Sequence, residues 1–510
     1  MAHETHADDF RFKEMTIAQL QALMASGDLS SETLVHAYLD RIEAIDRNGP
    51  TLRSVIETNP EAEQIAAGLD AERRSGRTRG PLHGIPILVK DNIETADRMT
   101  TTAGSLALEG SIARQDAGIV ARLREAGAVI LGKTNLSEWA NFRSPHSSSG
   151  WSARGGQCRN PYSLDRTPLG SSAGSGVATS ANLAAAALGT ETDGSILTPS
   201  AASALVGVKP TVGLTSRAGV IPISHSQDTV GPMGRSVADG AAVLSAIAGS
   251  DPRDPATQDA DARRQADYTR FLDAGALRGA RIGVPRNVFF GYNEKTDTVI
   301  EEAIRALADA GAVIVDPADI PTARELTFLG PELTVLLYEF KHGINAYLSQ
   351  LPESVHVRSL RDLIEFNENH REQELKYFGQ EFFHMAEAKG DLQDAEYREA
   401  LERSRRTARQ EGIDAVMDQH QLDALVMPTT SQPWKIDLVN GDHIQGLGSS
   451  PAAQAGYPAI TVPGGYTHGL PVGLLFTGRA YSEPRLIALA YAYEQAAKPR
   501  VAPAFRESTP

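Results

Sequence analysis

Two serine-bearing glycine turns stand near one another in the chain: Gly170-Ser171-Ser172-Ala173-Gly174-Ser175-Gly176 and Thr190-Glu191-Thr192-Asp193-Gly194-Ser195. A small-residue run from Val177 to Leu188 joins them, so their hydroxyls can meet at the ends of one compact unit. A serine hydroxyl is a poor nucleophile until a base takes its proton, and two arrangements compete for that role. In the first, residues 170–174 form a G-x-S-x-G elbow with Ser172 as nucleophile and a histidine such as His225 completing a triad. An elbow should follow a strong buried strand, whereas Leu164-Asp165-Arg166-Thr167-Pro168 is polar and ends in proline. Nothing singles out one histidine. The second arrangement joins Lys90, Ser171 and Ser195. A lysine serves as a base if desolvation lowers its pKa until neutral amine is present near pH 7. A serine placed between lysine and nucleophile relays the proton, because a hydroxyl donates and accepts at once. The Thr192-Asp193-Gly194 turn would aim backbone N–H groups at a carbonyl oxygen as charge develops on it.

These residues need elements to hold them. Ile87-Leu88-Val89 lacks polar alternation and reads as a strand buried on both faces, with Lys90 at its end. A lysine there otherwise snorkels to solvent. A helix at about 174–182 and a strand at about 184–190 connect the two serine turns. Upstream, Thr16-Ile17-Ala18-Gln19 opens a helix with a capping box and Gly27 stops it. Further helices are expected after Ser30 and over 62–74, with Asp116 capping another ahead of a strand at 128–131. Short strands follow at 55–59, 205–208 and 219–222, and a helix at 236–247. After a polar connection at 251–276 come strands at 281–285 and 312–315 around a helix at 298–310. Residues 321–420 read as mostly helical and could cover a cleft. Strands at 422–427, 459–462 and 473–476 precede a closing helix at 484–496. Strands alternating with helices favour an α/β/α sandwich.

The bulk numbers exclude several classes. The chain has 510 residues, 41% hydrophobic and 22% charged, as in a globular protein with a large core. A net charge of −15 without a basic cluster argues against a nucleic-acid partner. Cys158 is the sole cysteine, so no internal disulfide or cysteine zinc site is possible, and it reads as a small buried apolar residue. The 13 histidines show no HExxH spacing, and His3 and His6 sit in a polar tail. No metal or cofactor is expected. No apolar run reaches the roughly 18–20 residues of a membrane span. MAHETHADDF lacks the basic and apolar regions of a signal peptide. The expectation is a soluble protein, cytoplasmic as written, or periplasmic or secreted if a leader has been removed.

The sequence resembles the amidase signature family of serine hydrolases. The resemblance rests on Gly84-Ile85-Pro86 with Val89-Lys90-Asp91-Asn92, Gly132-Lys133-Thr134-Asn135, the 170–176 turn, and Gly189-Thr190-Glu191-Thr192-Asp193-Gly194-Ser195-Ile196. It extends through Gly207-Val208-Lys209-Pro210-Thr211 and Gly231-Pro232-Met233 to Gly456-Tyr457-Pro458 and Gly469-Leu470-Pro471-Val472-Gly473. It implies one amidase domain over 1–510: an α/β/α sandwich on a central mixed, twisted sheet. The signature core covers about 80–240, and a mainly helical insertion about 321–420. It also implies a Ser–Ser–Lys triad with Ser195 as nucleophile, Ser171 as bridging serine and Lys90 as base. Ser172 then supports the turn, the Gly170–Ser171 peptide is cis, and backbone N–H groups of Thr192, Asp193, Gly194 and Ser195 form the oxyanion hole. The family commonly has two glycines before the nucleophile, where this chain has Asp193-Gly194. The Asp193 carboxylate must therefore stay out of the oxyanion hole. Leu197 and Thr198 stand where many members carry arginine, which favours a neutral substrate group.

The stretch from Ile223 to Met233, with Leu337–Lys341 and Asp362–Asn367, looks like the bacterial peptide amidases, which remove the amide group from the C-terminus of peptide amides. Gln227, Asp228 and Thr229 then either line the acyl pocket or shape their loop. The expected partner is a small-molecule or short-peptide amide, with the protein a monomer or homodimer. Alternatives are a general aliphatic or aryl-acyl amidase and, in a different class, a partner-dependent amidotransferase-like subunit.

Overall fold

Strands that lack polar alternation occupy the middle of the sheet. The computed structural model describes residues 10–326 and 328–509; His3 and His6 lie outside the described residues. In chain order the strands are β1 (Val55–Thr58), β2 (Pro86–Lys90), β3 (Val129–Thr134), β4 (Trp151–Ser152), β5 (Gly156–Gln157), β6 (Ala186–Glu191) and β7 (Val206–Lys209). They continue as β8 (Thr229–Gly234), β9 (Arg281–Gly283), β10 (Val313–Val315), β11 (Ala424–Pro428), β12 (Ala459–Thr467) and β13 (Leu470–Thr477). Among the described residues, eleven of these form one open sheet in the order β1-β3-β2-β6-β8-β7-β12-β13-β11-β9-β10, while β4 and β5 pair as a separate ribbon. The sheet is mixed: β3, β2 and β6 run parallel, and β6, β8, β7, β12, β13 and β11 alternate in direction. Every residue of β2, β3, β6, β7 and β8 is buried, as continuous apolar strands covered on both faces should be. With flanking helices this is the expected α/β/α architecture.

Ala173–Ser180 and Leu197–Ala202, the helices after the two serine turns, pack on one another and on the sheet. Helices Val237–Ile247, Glu294–Asp309 and Glu483–Ala497 also pack on strands, with Glu483–Ala497 touching the other two. The first helix starts at Ile17, and the reciprocal Thr16–Gln19 capping box and Gly27 C-cap are both present. Within 321–420 the helices Leu333–Leu348, Leu360–Asn369, Glu381–Glu387 and Ala395–Ala408 dominate. Leu336, Phe340, Leu363 and Phe383 bury a core of their own against Trp139, Phe142, Ile221 and Ile223. The helical stretch is thus pinned to two loops beside the serine turns.

Two expectations need correction, and one strand lies where none is expected. Asp116 does not cap the Gly118–Glu125 helix; its carboxylate accepts the Ala96 N–H at 2.7 Å and pairs with Arg124. Residues 219–222 form no strand, only a bridge from Val220 to Ile93. The sheet instead takes in Thr229–Gly234 as β8, where Pro232 lies opposite Leu188.

Close approach explains Gly174, whose N–H donates to Asn135 O at 2.9 Å and whose added Cβ would meet Ser54 O at 2.3 Å and Asn135 O at 2.4 Å. Both obstacles are backbone, so Gly174→Ala should cost about 1–3 kcal/mol. Gly68, exposed within the Ala62–Arg74 helix with nothing within 4 Å of an added Cβ, should gain about 0.5–1 kcal/mol on replacement by alanine. Thermal unfolding should show opposite shifts for the two variants, and a fall in both would disprove this account.

Candidate active site

The parallel pairing of β2 with β6, Val89 opposite Leu188, sets Lys90 beside Thr190 at the strand ends. Lys90 is fully buried, and its Nζ donates to Ser171 Oγ at 2.8 Å, to Thr190 Oγ1 at 2.8 Å and to Thr190 O at 3.3 Å. Thr190 Oγ1 is also held by Asn92 Nδ2 at 2.9 Å. Burial lowers the lysine pKa to about 7, and the more distant Asp228 and Glu191 carboxylates only partly oppose it. The amine is thus placed to exchange a proton near neutrality, and the snorkelling alternative does not hold.

The turn carrying Ser171 is fixed from several sides. Its Gly170–Ser171 peptide is cis, as the family resemblance implied. A Cβ on Gly170 would fall 2.2 Å from Ser137 Oγ, so a larger residue there would have to displace that hydroxyl. Thr198 Oγ1 donates to Gly170 O at 2.8 Å, and Ser137 N–H donates to Ser171 O at 3.0 Å. Ser172 ties the two turns together: its N–H reaches Ser195 O at 3.1 Å and its Oγ donates to Thr190 O at 3.1 Å. Its hydroxyl is used in holding the turn. The preceding residues 164–168 form no strand, which removes the context an elbow requires. His225, about half exposed, pairs with Glu339 at 3.3 Å. Cys158 is buried, and desolvation raises its thiol pKa well above normal.

Ser195 lies just before the Leu197–Ala202 helix and is 8% exposed, while Ser171 is 0% exposed. Gly194 takes φ 80°, a conformation glycine adopts readily. The buried Glu191 accepts the N–H groups of Ile196 and Leu197 at 2.7 and 2.9 Å, tying down the backbone just past Ser195. Asp193 turns its carboxylate to Ser449 Oγ at 2.5 Å and Ser450 Oγ at 2.6 Å. Asp228 accepts Thr192 Oγ1 at 2.6 Å and the N–H groups of Ile223 and Ser224, both at 2.9 Å. Gln227 Nε2 lies 3.4 Å from Thr192 O and 2.8 Å from Glu332 Oε1. Thr229 is buried in β8, its Oγ1 3.5 Å from that of Thr215.

The structure therefore brings Lys90 and Ser171 into direct contact, joins the turns of Ser171 and Ser195 through Ser172, and sets Gln227 and Asp228 against Thr192. Thr190, Glu191 and Glu332 also shape this site, and sequence reasoning gave none of them a role. Thr190 and Glu191 stand inside the motif that flagged the site, and a side-chain period of two along β6 marks Thr190 as facing Lys90 once the strands are paired. Glu332 carries no such signal.

The chain belongs to the amidase signature family: residues 33–487 match the amidase family. It is an amidase whose structure is similar to that of the native peptide amidase from Stenotrophomonas maltophilia. The two are 55% identical with a TM-score of 0.93, covering 97% of this chain and 99% of that one. The peptide amidase bound to its competitive inhibitor chymostatin matches equally well. A probable amidase from Arabidopsis thaliana is 44% identical over 504 residues, covering 97% of this chain and 92% of the relative. The glutamyl-tRNA(Gln) amidotransferase chain of Thermotoga maritima is more distant, at 26% identity and a TM-score of 0.71 over 98% of both chains.

A buried lysine also leaves a mark on stability. Its pKa of about 7 in the fold lies below the unfolded value of about 10.4. Between those limits the unfolded chain holds the extra proton, so stability rises with pH across that window. Lys90→Met removes this dependence. Its melting temperature relative to wild type should be most favourable below pH 7 and should decline steadily toward about pH 10. A difference independent of pH would show that Lys90 is not desolvated as described.

Proposed function

We propose that this amidase hydrolyses primary carboxamides to acid and ammonia through an acyl-Ser195 intermediate, and that its substrates are peptides amidated at the C-terminus. One observation carries the mechanism: the fully buried Lys90 amine donates to Ser171 Oγ at 2.8 Å, with burial holding its pKa at about 7. As neutral amine, Lys90 takes the proton of Ser171 while Ser171 takes that of Ser195. Ser195 Oγ then bonds to the amide carbon. Backbone N–H groups of Thr192, Asp193, Gly194 and Ser195 stabilise the oxyanion. On collapse the C–N bond breaks, and ammonia leaves with the proton returned from Lys90 through Ser171. Water repeats the sequence on the acyl ester, releasing the acid and restoring Ser195.

The likeness to a peptide amidase at 55% identity supports the substrate class. Leu197 and Thr198 place no arginine behind the nucleophile, which suits a substrate with an uncharged amide end. On this reading the helices of 321–420 belong to the same catalytic unit as the sheet.

Ammonia release from a peptide amide should fall by at least about 10³-fold in Ser195→Ala and by about 10²–10⁴-fold in Lys90→Ala. Wild-type turnover should rise with pH through about 7 as Lys90 loses its proton. Chymostatin should inhibit competitively. Full activity of either variant at neutral pH would refute the triad. Turnover of small aliphatic amides or anilides with none of peptide amides would refute the substrate class.

A further inference from the structure

Glu332 ends a π-helical turn, Phe328–Glu332, that leads into the Leu333–Leu348 helix, and it is fully buried. Its Oε1 accepts the Gln227 amide at 2.8 Å, and its Oε2 accepts the Gln454 amide at 3.1 Å. The Gln227 nitrogen also lies 3.4 Å from Thr192 O. The Glu332 carboxyl lies near that of Asp193, whose hydrogen-bond partners are Ser449 and Ser450. One side chain from the helical stretch thus stands near Asp193 and is linked through Gln227 to Thr192, two successive residues of the turn before Ser195.

The charges around this pair are few. Lys209 is the cation near Asp193, but its Nζ is bonded to Tyr457 O at 2.6 Å and Pro210 O at 3.3 Å. Glu191 is a further carboxylate nearby. Two adjoining buried carboxyls do not both ionise readily. Burial raises the pKa of both carboxyls, and the charge of Asp193 raises that of Glu332 further. A protonated carboxyl can donate to Asp193 while accepting from Gln227.

We propose that Glu332 is a positioning residue for acyl transfer: through Gln227 it holds the Thr192 carbonyl, and standing near Asp193 it keeps that carboxylate turned to Ser449 and Ser450, away from the forming oxyanion. This rests on the reading of Ser195 as nucleophile. It also accounts for how the chain tolerates an acidic residue where the family commonly has glycine.

The test compares kcat, KM and melting temperature for ammonia release from one peptide amide. Glu332→Ala should lower kcat at least tenfold with KM changed less than threefold. Glu332→Gln should recover most of the loss, because its amide can donate to Asp193 and its carbonyl still accepts from Gln227. In an Asp193→Gly background Glu332→Ala should lower kcat less than in the wild-type background, since the carboxylate it restrains is gone while the Gln227 link to Thr192 remains. Glu332→Met fills the space if the alanine variant does not fold. An equal kcat loss in both backgrounds, a glutamine variant as impaired as alanine, a change in KM alone, or kcat within twofold throughout would overturn the proposal. Ser195→Ala run alongside separates the two readings, because activity there would remove the nucleophile assignment whatever Glu332 does.

Discussion

An amine without a counter-ion, taken out of water at the end of a buried strand, is the constraint on which this structure depends. Desolvation of a charged ammonium is costly unless it is paired, and Lys90 is given two hydroxyls and one carbonyl oxygen instead of a carboxylate. The acids nearby are committed elsewhere. Asp228 is consumed by Thr192, Ile223 and Ser224, and Glu191 accepts the amides of Ile196 and Leu197. Either acid turned onto Lys90 would hold the amine protonated. Occupying these carboxylates therefore keeps the lysine amine able to lose its proton near pH 7, as much as it shapes the loops.

The departures from the family pattern follow the same logic. Asp193 would oppose charge development if it faced the reacting carbonyl, but its oxygens are turned to Ser449 and Ser450 at the start of a different helix. Thr198, one of the two positions where the family resemblance leads one to expect arginine, uses its hydroxyl to hold Gly170 O and so steadies the turn of Ser171.

Much of this was legible in the sequence because it is local. The run from Ile87 to Val89 could only be a buried strand, and Thr16–Gln19 carries its cap within four residues. β8 was hidden because Gly231-Pro232 and Gly234 read as turn residues. In the fold Gly231 permits close approach to β7, where an added Cβ would lie 1.9 Å from Val208 O. Asp116 looked like a cap, yet a partner 20 residues upstream claims its carboxylate. The contacts of Glu332 join positions 105 and 122 residues apart. No spacing rule encodes such pairs, since only the folded topology brings them together.

The helices of 333–387 bury Leu336, Phe340, Leu363 and Phe383 in a cluster separate from the core under the sheet, and meet two loops beside the serine turns through Trp139, Phe142, Ile221 and Ile223. Substitutions inside that cluster are absorbed where they occur, since additivity holds for sites that share no neighbours. The buried surroundings of Lys90 between strands β2 and β6 and the helical cluster beside them are therefore two nearly independent packing units. Substitutions can accumulate in the helical cluster while the packing around Lys90, Ser171 and Ser172 stays untouched.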